Sequence, residues 1–206
     1  LTWSFEGEQN AQAESLDSLA TGFIAALFVI YALLAIPFRS WIQPLVVMVA
    51  IPFGIIGAVI GHFVMGFGFS IISIFGIVAL SGVVVNDSLV LVVTTNEMRK
   101  ARPGASLLEI VVGAGRRRFR PILLTSVTTF FGLMPMVLET SMQARFLIPM
   151  AISIAFGVMF STFIILLLVP ALYVVIEDAT SLSSWIFRDA DADSEVPEVS
   201  DPSTPA

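Results

Sequence analysis

Cysteine is absent from the 206 residues. That excludes disulfides and thiolate metal sites. Charge is scarce: Asp, Glu, Lys and Arg make up 13% of the chain, against about a quarter in ordinary soluble domains. With 57% hydrophobic residues and a mean hydropathy of +0.95, so few polar groups cannot wrap the apolar content in water. The composition is that of a membrane protein. Period-2 alternation over segments of about 10 residues is also missing, which argues against the strands of a membrane β-barrel. A basic n-region ahead of a short apolar core is missing too, so no signal peptide is expected. The polar opening at Leu1 reads as a start within a longer polypeptide.

What is present is a set of long apolar runs. A helix needs roughly 20 apolar residues to cross a hydrocarbon core of about 30 Å. Five runs qualify, at about 19–38, 42–65, 71–93, 121–138 and 146–175. Helices or closed barrels are the only ways to satisfy the backbone in lipid, and these runs are too long and too evenly apolar for strands. The expected fold class is an all-α membrane protein with five transmembrane helices.

The connections "RSW", "GFGFS" and "ETSMQAR" are short and imply antiparallel neighbours. The link between spans three and four is longer, and it mixes Leu107, Leu108, Ile110, Val111 and Val112 with charge. Ser106 and Glu109 have the spacing of a capping box, predicting an amphipathic helix over about 106–114 lying on the membrane surface. Arg99, Lys100, Arg102, Arg116, Arg117, Arg118 and Arg120 fall in this link, and Arg39 falls in the loop between spans one and two. The positive-inside rule puts both loops in the cytoplasm. Residues 1–17 are then extracytoplasmic, and the C-terminus is cytoplasmic. Trp41 and Trp185 sit near the cytoplasmic boundaries. Residues 177–206, acidic and rich in Pro and Ser, are expected to form a disordered tail.

Within the spans, polar residues stand out. Asn86 and Asp87 interrupt "SGVVVNDSLVLVV". A carboxylate at mid-span costs roughly 3 kcal/mol on insertion scales and is functional by default. Desolvation disfavours its charged form, which suits it either to hold and release a proton or, kept protonated, to hydrogen-bond across helices as a structural group. Ser81, Ser88 and Thr95 recur every seven residues beside it and mark one helical stripe, read as the wet face. In span four, Thr125, Thr128, Thr129 and Gly132 share a face. They serve either a hydrated path or simple back-bonding to helix carbonyls. Gly54, Gly57 and Gly61 in span two, and Ser153, Gly157 and Ser161 in span five, have the spacing of close helix packing. His62, near the outer end of span two, reads as interfacial. Pro52 and Pro135 interrupt spans, which packed bundles tolerate. No metal site or cofactor is expected.

Several long stretches in order resemble the resistance-nodulation-division (RND) efflux transporters, in the hydrophobe/amphiphile branch. They are "FEGEQNAQAESLDSL", "AIPFRSWIQPLVVMVAIPFGIIGAVIG", "FSIISIFGIVALSGVVVNDSLVLV", "RRRFRPILLTSVTTFFGLMPM" and "LLLVPALYVV", within about residues 1–176. The resemblance implies that the five spans are the last five of a twelve-helix bundle and that residues 1–17 end a periplasmic domain. It implies a homotrimer in the bacterial inner membrane, joined by a periplasmic adaptor and an outer-membrane channel, exporting drugs or amphiphiles in exchange for protons. The partner of these spans would be the N-terminal half of the same transporter, which carries an Asp pair. Asn86, Asp87 and Thr125 match relay positions, with Ser88 a weaker candidate. Well-known members have Lys at the position of Asn86, and Asn is usual at that of Asp87. A rival reading is a non-transporting accessory or lipid-sensing membrane module. An intramembrane aspartyl protease needs two carboxylates and the spans offer one clear Asp, so no enzyme is expected. Nothing points to nucleic acid.

Overall fold

In the computed structural model, residues 6–192 are described along the backbone and residues 10–176 with their side chains. Helix α1 is Glu6–Phe38, α2 Gln43–Met48, α3 Ala50–Met65, α4 Ile71–Ala101, α5 Leu107–Val137 and α6 Ile148–Ala192, with a 3-10 turn at Ala144–Phe146 before α6. Among the described residues, five segments are long and apolar enough to cross a membrane: Asn10–Phe38, Gln43–Met65, Ile71–Ala101, Leu107–Val137 and Ile148–Ile176.

Local chemistry sets the ends. Ser70 caps α4, its hydroxyl accepting from Ser73 N at 3.4 Å while Ser70 N donates to Ser73 Oγ at 3.1 Å. Ser106 caps α5 by accepting from Glu109 N. Gly66, at φ +69°, ends α3 in the left-handed conformation that glycine adopts without strain. The second span is one rod with a lesion. Pro52 has no N–H for the carbonyl of Met48, and the helix lapses at Val49 although that residue stays near helical angles.

Two expectations need correction. No separate surface helix covers 106–114: those residues are the first turns of α5, which runs straight through Pro121. Of their apolar side chains, Ile110, Val111 and Ala114 are buried against the protein, while Leu108 and Val112 are exposed. The expected disordered tail does not begin at 177 either, because α6 continues to Ala192. Residues 193–206 and the side chain of Trp185 lie outside the described residues. Residues 6–17, expected as the end of a periplasmic domain, are helical and continuous with span one.

The core forms where α3, α4 and α6 meet. Leu80, Val84, Leu91 and Val92 of α4 pack with Ala58, Val158, Ile165 and Val169. The backbones touch. A methyl group on Gly57 would lie 2.5 Å from Phe160 Cβ and 3.0 Å from the carbonyl of Phe156; one on Gly61 would overlap Phe156, and one on Gly157 would overlap Leu80. Polar contacts tie the two ends. At one, Asn96 of α4 exchanges amide hydrogen bonds with Gln43 of α2 and accepts from Tyr173 Oη of α6 at 2.8 Å. At the other, Ser153 Oγ of α6 donates to Ser73 O of α4 at 3.0 Å. These pairings bring the loop holding Arg39 and the link after α4 to the same end of the bundle.

Candidate functional site

The helical period of α4 separates the residues of "NDS". Asp87 is 9% exposed and Ser88 is fully buried, whereas Asn86 is exposed on a stripe with Ala79, Gly82 and Val83. Asp87 therefore stands at the edge between the packed side of α4 and its open side. Among the described residues, none hydrogen-bonds or ion-pairs with its carboxylate. Ser88 Oγ is likewise buried without a partner. Two polar side chains in succession thus lack the protein partners that buried polar groups normally have.

The hydroxyl stripe is not a wet face. Ser81, Ser88 and Thr95 are all buried; Ser81 donates to Ile77 O at 2.8 Å and Thr95 to Leu91 O at 2.9 Å. Short polar side chains satisfy themselves on their own helix when no water is at hand. The threonines of α5 do the same from the outside. Thr125 is exposed and donates to Ile122 O at 2.8 Å and Pro121 O at 3.3 Å. Thr128 donates to Leu124 O and Thr125 O, and Thr129 to Thr125 O. Gly132 has open space beside it. No hydrogen bond joins Thr125 to Asp87. Ser153 and Ser161 are buried, and Ser161 Oγ bonds back to Val158 O.

Several polar contacts escaped the sequence. Ser126 of α5 meets Thr162 of α6 through their hydroxyls, both fully buried. Thr162 is one residue beyond Ser161, whose four-residue spacing with Gly157 drew the face a step aside. Arg118 Nε donates to Thr94 Oγ1 at 2.6 Å, fastening the base-rich start of α5 to α4. His62, read as interfacial, is 4% exposed and hydrogen-bonded on both ring nitrogens. Its signal was a Ser-rich helix start eight to eleven residues on, "SIIS". No group of three or more His, Cys, Asp or Glu side chains suited to a metal occurs among the described residues.

Asp87 is thus the one carboxylate in the middle of α4, with Glu97 near its last turn. Residues 1–177 match the model of the AcrB/AcrD/AcrF family. The chain belongs to that RND efflux family. It is a multi-pass membrane segment of a transporter family, not of an enzyme family. It is 31% identical over 165 residues to the swarming motility protein SwrC of Bacillus subtilis, a match covering 80% of this chain and 16% of SwrC. Two crystal forms of a heavy metal efflux pump superpose with TM-scores of 0.72 and 0.69 at 29% identity; each match covers 84% of this chain, and 17% and 16% of the pump. The chain thus spans about a sixth of the length of these RND relatives.

Proposed function

We propose that this chain is the C-terminal membrane half of a proton-motive-force-driven RND exporter and carries part of its proton relay. The observation that carries the reading is Asp87, a buried carboxylate in an apolar helix with no partner among the described residues. Such a group is expensive to keep in a membrane unless it works. Asn86 and Thr125 stand on faces that the five helices leave uncovered, and an outward Asn in lipid calls for further protein beside it. The N-terminal half of the same transporter, with its own carboxylates, is the partner that fits. Protonation of Asp87 turns an acceptor-only carboxylate into a group that also donates. The change of charge biases the position of α4 relative to the covering half.

The whole assembly is a homotrimer in the bacterial inner membrane, working with a periplasmic adaptor and an outer-membrane channel. The C-terminus and the base-rich start of α5 face the cytoplasm, as the seven bases near that link favour. The cargo is a drug-like or amphiphilic molecule, on the motif stretches quoted above. The likeness to a heavy metal efflux pump favours a second reading in which the cargo is a metal ion. Comparing export of a cationic dye with export of a soft metal ion from proteoliposomes separates the two.

The relay is tested in the intact transporter. Asp87→Asn is expected to abolish proton-coupled export while leaving thermal unfolding unchanged or slightly raised, since a buried charge is removed. Export at the wild-type rate by Asp87→Ala would show that Asp87 has no part in the relay.

A further inference from the structure

The end of the bundle remote from the basic link holds a second polar group that owes nothing to Asp87. His62 lies in the last turn of α3, buried. Its Nδ1 is 2.9 Å from Ala58 O and its Nε2 is 2.8 Å from Ser73 Oγ on α4. A carbonyl only accepts, so Nδ1 carries the hydrogen and, in the neutral ring, Nε2 accepts from the Ser73 hydroxyl. Ser73 Oγ also accepts from Ser70 N and lies 3.3 Å from Ser70 Oγ. Ser70 is half-buried and lines a cleft of about 630 Å³ with Gln12, Arg145, Phe146 and Pro149. The ring of Phe69 leans on the imidazole with centroids 5.2 Å apart. A hydrogen-bonded chain therefore leads from an open cleft to a buried imidazole: Ser70 Oγ, Ser73 Oγ, His62 Nε2.

We propose that His62 is a proton-binding site fed from this cleft through Ser70 and Ser73. A proton taken up at Ser70 Oγ releases that hydroxyl's own hydrogen to Ser73 Oγ, and Ser73 in turn passes its hydrogen to Nε2. The result is an imidazolium, with Ser70 and Ser73 again neutral. Every hydrogen bond has a successor in the charged state. Nδ1–H still donates to Ala58 O, Nε2–H now donates to Ser73 Oγ, and the Ser73 hydroxyl turns to Ser70 Oγ. The two states are matched in hydrogen bonding, so neither strands a buried donor or acceptor. Among the described residues, no charged side chain of α3, α4 or α6 pairs with the ring. Arg145 on the cleft wall and Glu139 after α5 are charged groups at this end. Because Ser73 O also accepts from Ser153 Oγ, the site sits where α3, α4 and α6 are joined.

The test is nitrogen-15 NMR of the intact transporter in lipid. The His62 signals are assigned by their loss in His62→Gln or, should that variant not fold, by the shift that Phe69→Leu imposes when it removes the ring current. The neutral ring is expected as the Nδ1–H tautomer, and acidification is expected to add the second hydrogen at Nε2. In Ser70→Asn the helix cap is kept, because Asn also accepts there, but no hydroxyl remains to pass a proton. Exchange at Nε2 is then expected to slow severalfold with unfolding unchanged. A ring that stays neutral down to pH 5, or exchange that is as fast in Ser70→Asn, would overturn the proposal.

Discussion

Helices α1 and α6 are about equally apolar, yet 50% of the membrane-spanning stretch of α6 is buried within the protein and only 6% of that of α1. Phe28, Leu33 and Ile36 of α1 stand open, whereas Ile152, Ile165 and Val158 of α6 are enclosed. In water such a helix as α1 would be untenable, but in lipid there is no hydrophobic penalty for staying apart. What separates the two helices is shape. Gly157 lets α6 approach α3 and α4 to backbone contact, while Gly22 of α1 has open space around it. Small residues gather helices only where a complementary surface meets them.

The strongest way to break this contrast is to fill the contact. Gly157→Leu is expected to cost about 3 kcal/mol or more through overpacking, since even a methyl group there overlaps Leu80. Gly22→Leu is expected to leave unfolding in detergent unchanged. Equal losses from both would mean that backbone approach is not what orders the core.

A second comparison sets inward against outward hydroxyls. Ser126→Ala with Thr162→Val, in a double-mutant cycle of unfolding, is expected to show a coupling of roughly 0.6–1.7 kcal/mol. Thr128→Val, on the open side of α5, is expected to show no coupling to either. A third substitution has the opposite sign. Ser88 Oγ is buried without a partner, so Ser88→Ala is expected to stabilise the bundle by about 1 kcal/mol. If export falls in the same variant, that hydroxyl is retained for function at the expense of stability.

The smallest effect lies outside the membrane. The exposed Glu139 carboxylate accepts from Thr140 N and Ser141 N, each at 3.0 Å. The backbone N–H of Ser141, then that of Thr140, holds its pKa below the ordinary carboxylate value. A lowered folded value means that this contribution is complete above the ordinary carboxylate range. It is lost only as the pH falls through the folded value. Glu139→Gln is expected to flatten stability against pH in that acidic window alone, as read from unfolding midpoints between pH 3 and 6.

These contrasts also explain what the sequence disclosed. The apolar runs, the short loops and the capping serine at 106 were legible because length and turn chemistry act locally; the cap at Ser70 was not read. The fate of Pro121 was not. A proline ends a helix in the absence of other support, but here α5 crosses it and the preceding turns are pinned to α4 by Arg118 and Thr94. Faces were half legible. Spacing groups Ser81, Ser88 and Thr95 correctly, but lipid and protein interior are equally apolar, so periodicity alone does not say which side is inward. The oddity of Asp87 was plain; that Asn86 points away from the packed side emerged only from the fold. His62 was misjudged because its partners start a different helix.

The continuity of α5 has a mechanical meaning. At 1.5 Å per residue its 31 residues span about 46 Å, well beyond a hydrocarbon core of about 30 Å. Roughly a third of the rod stands outside, bearing Arg116, Arg117, Arg118 and Arg120, and it is latched to an equally long α4. Held together by Arg118 and Thr94, the two rods join the basic end of α5 to the helix that bears Asp87, so the distance from that carboxylate to the polar end is bridged by continuous helix.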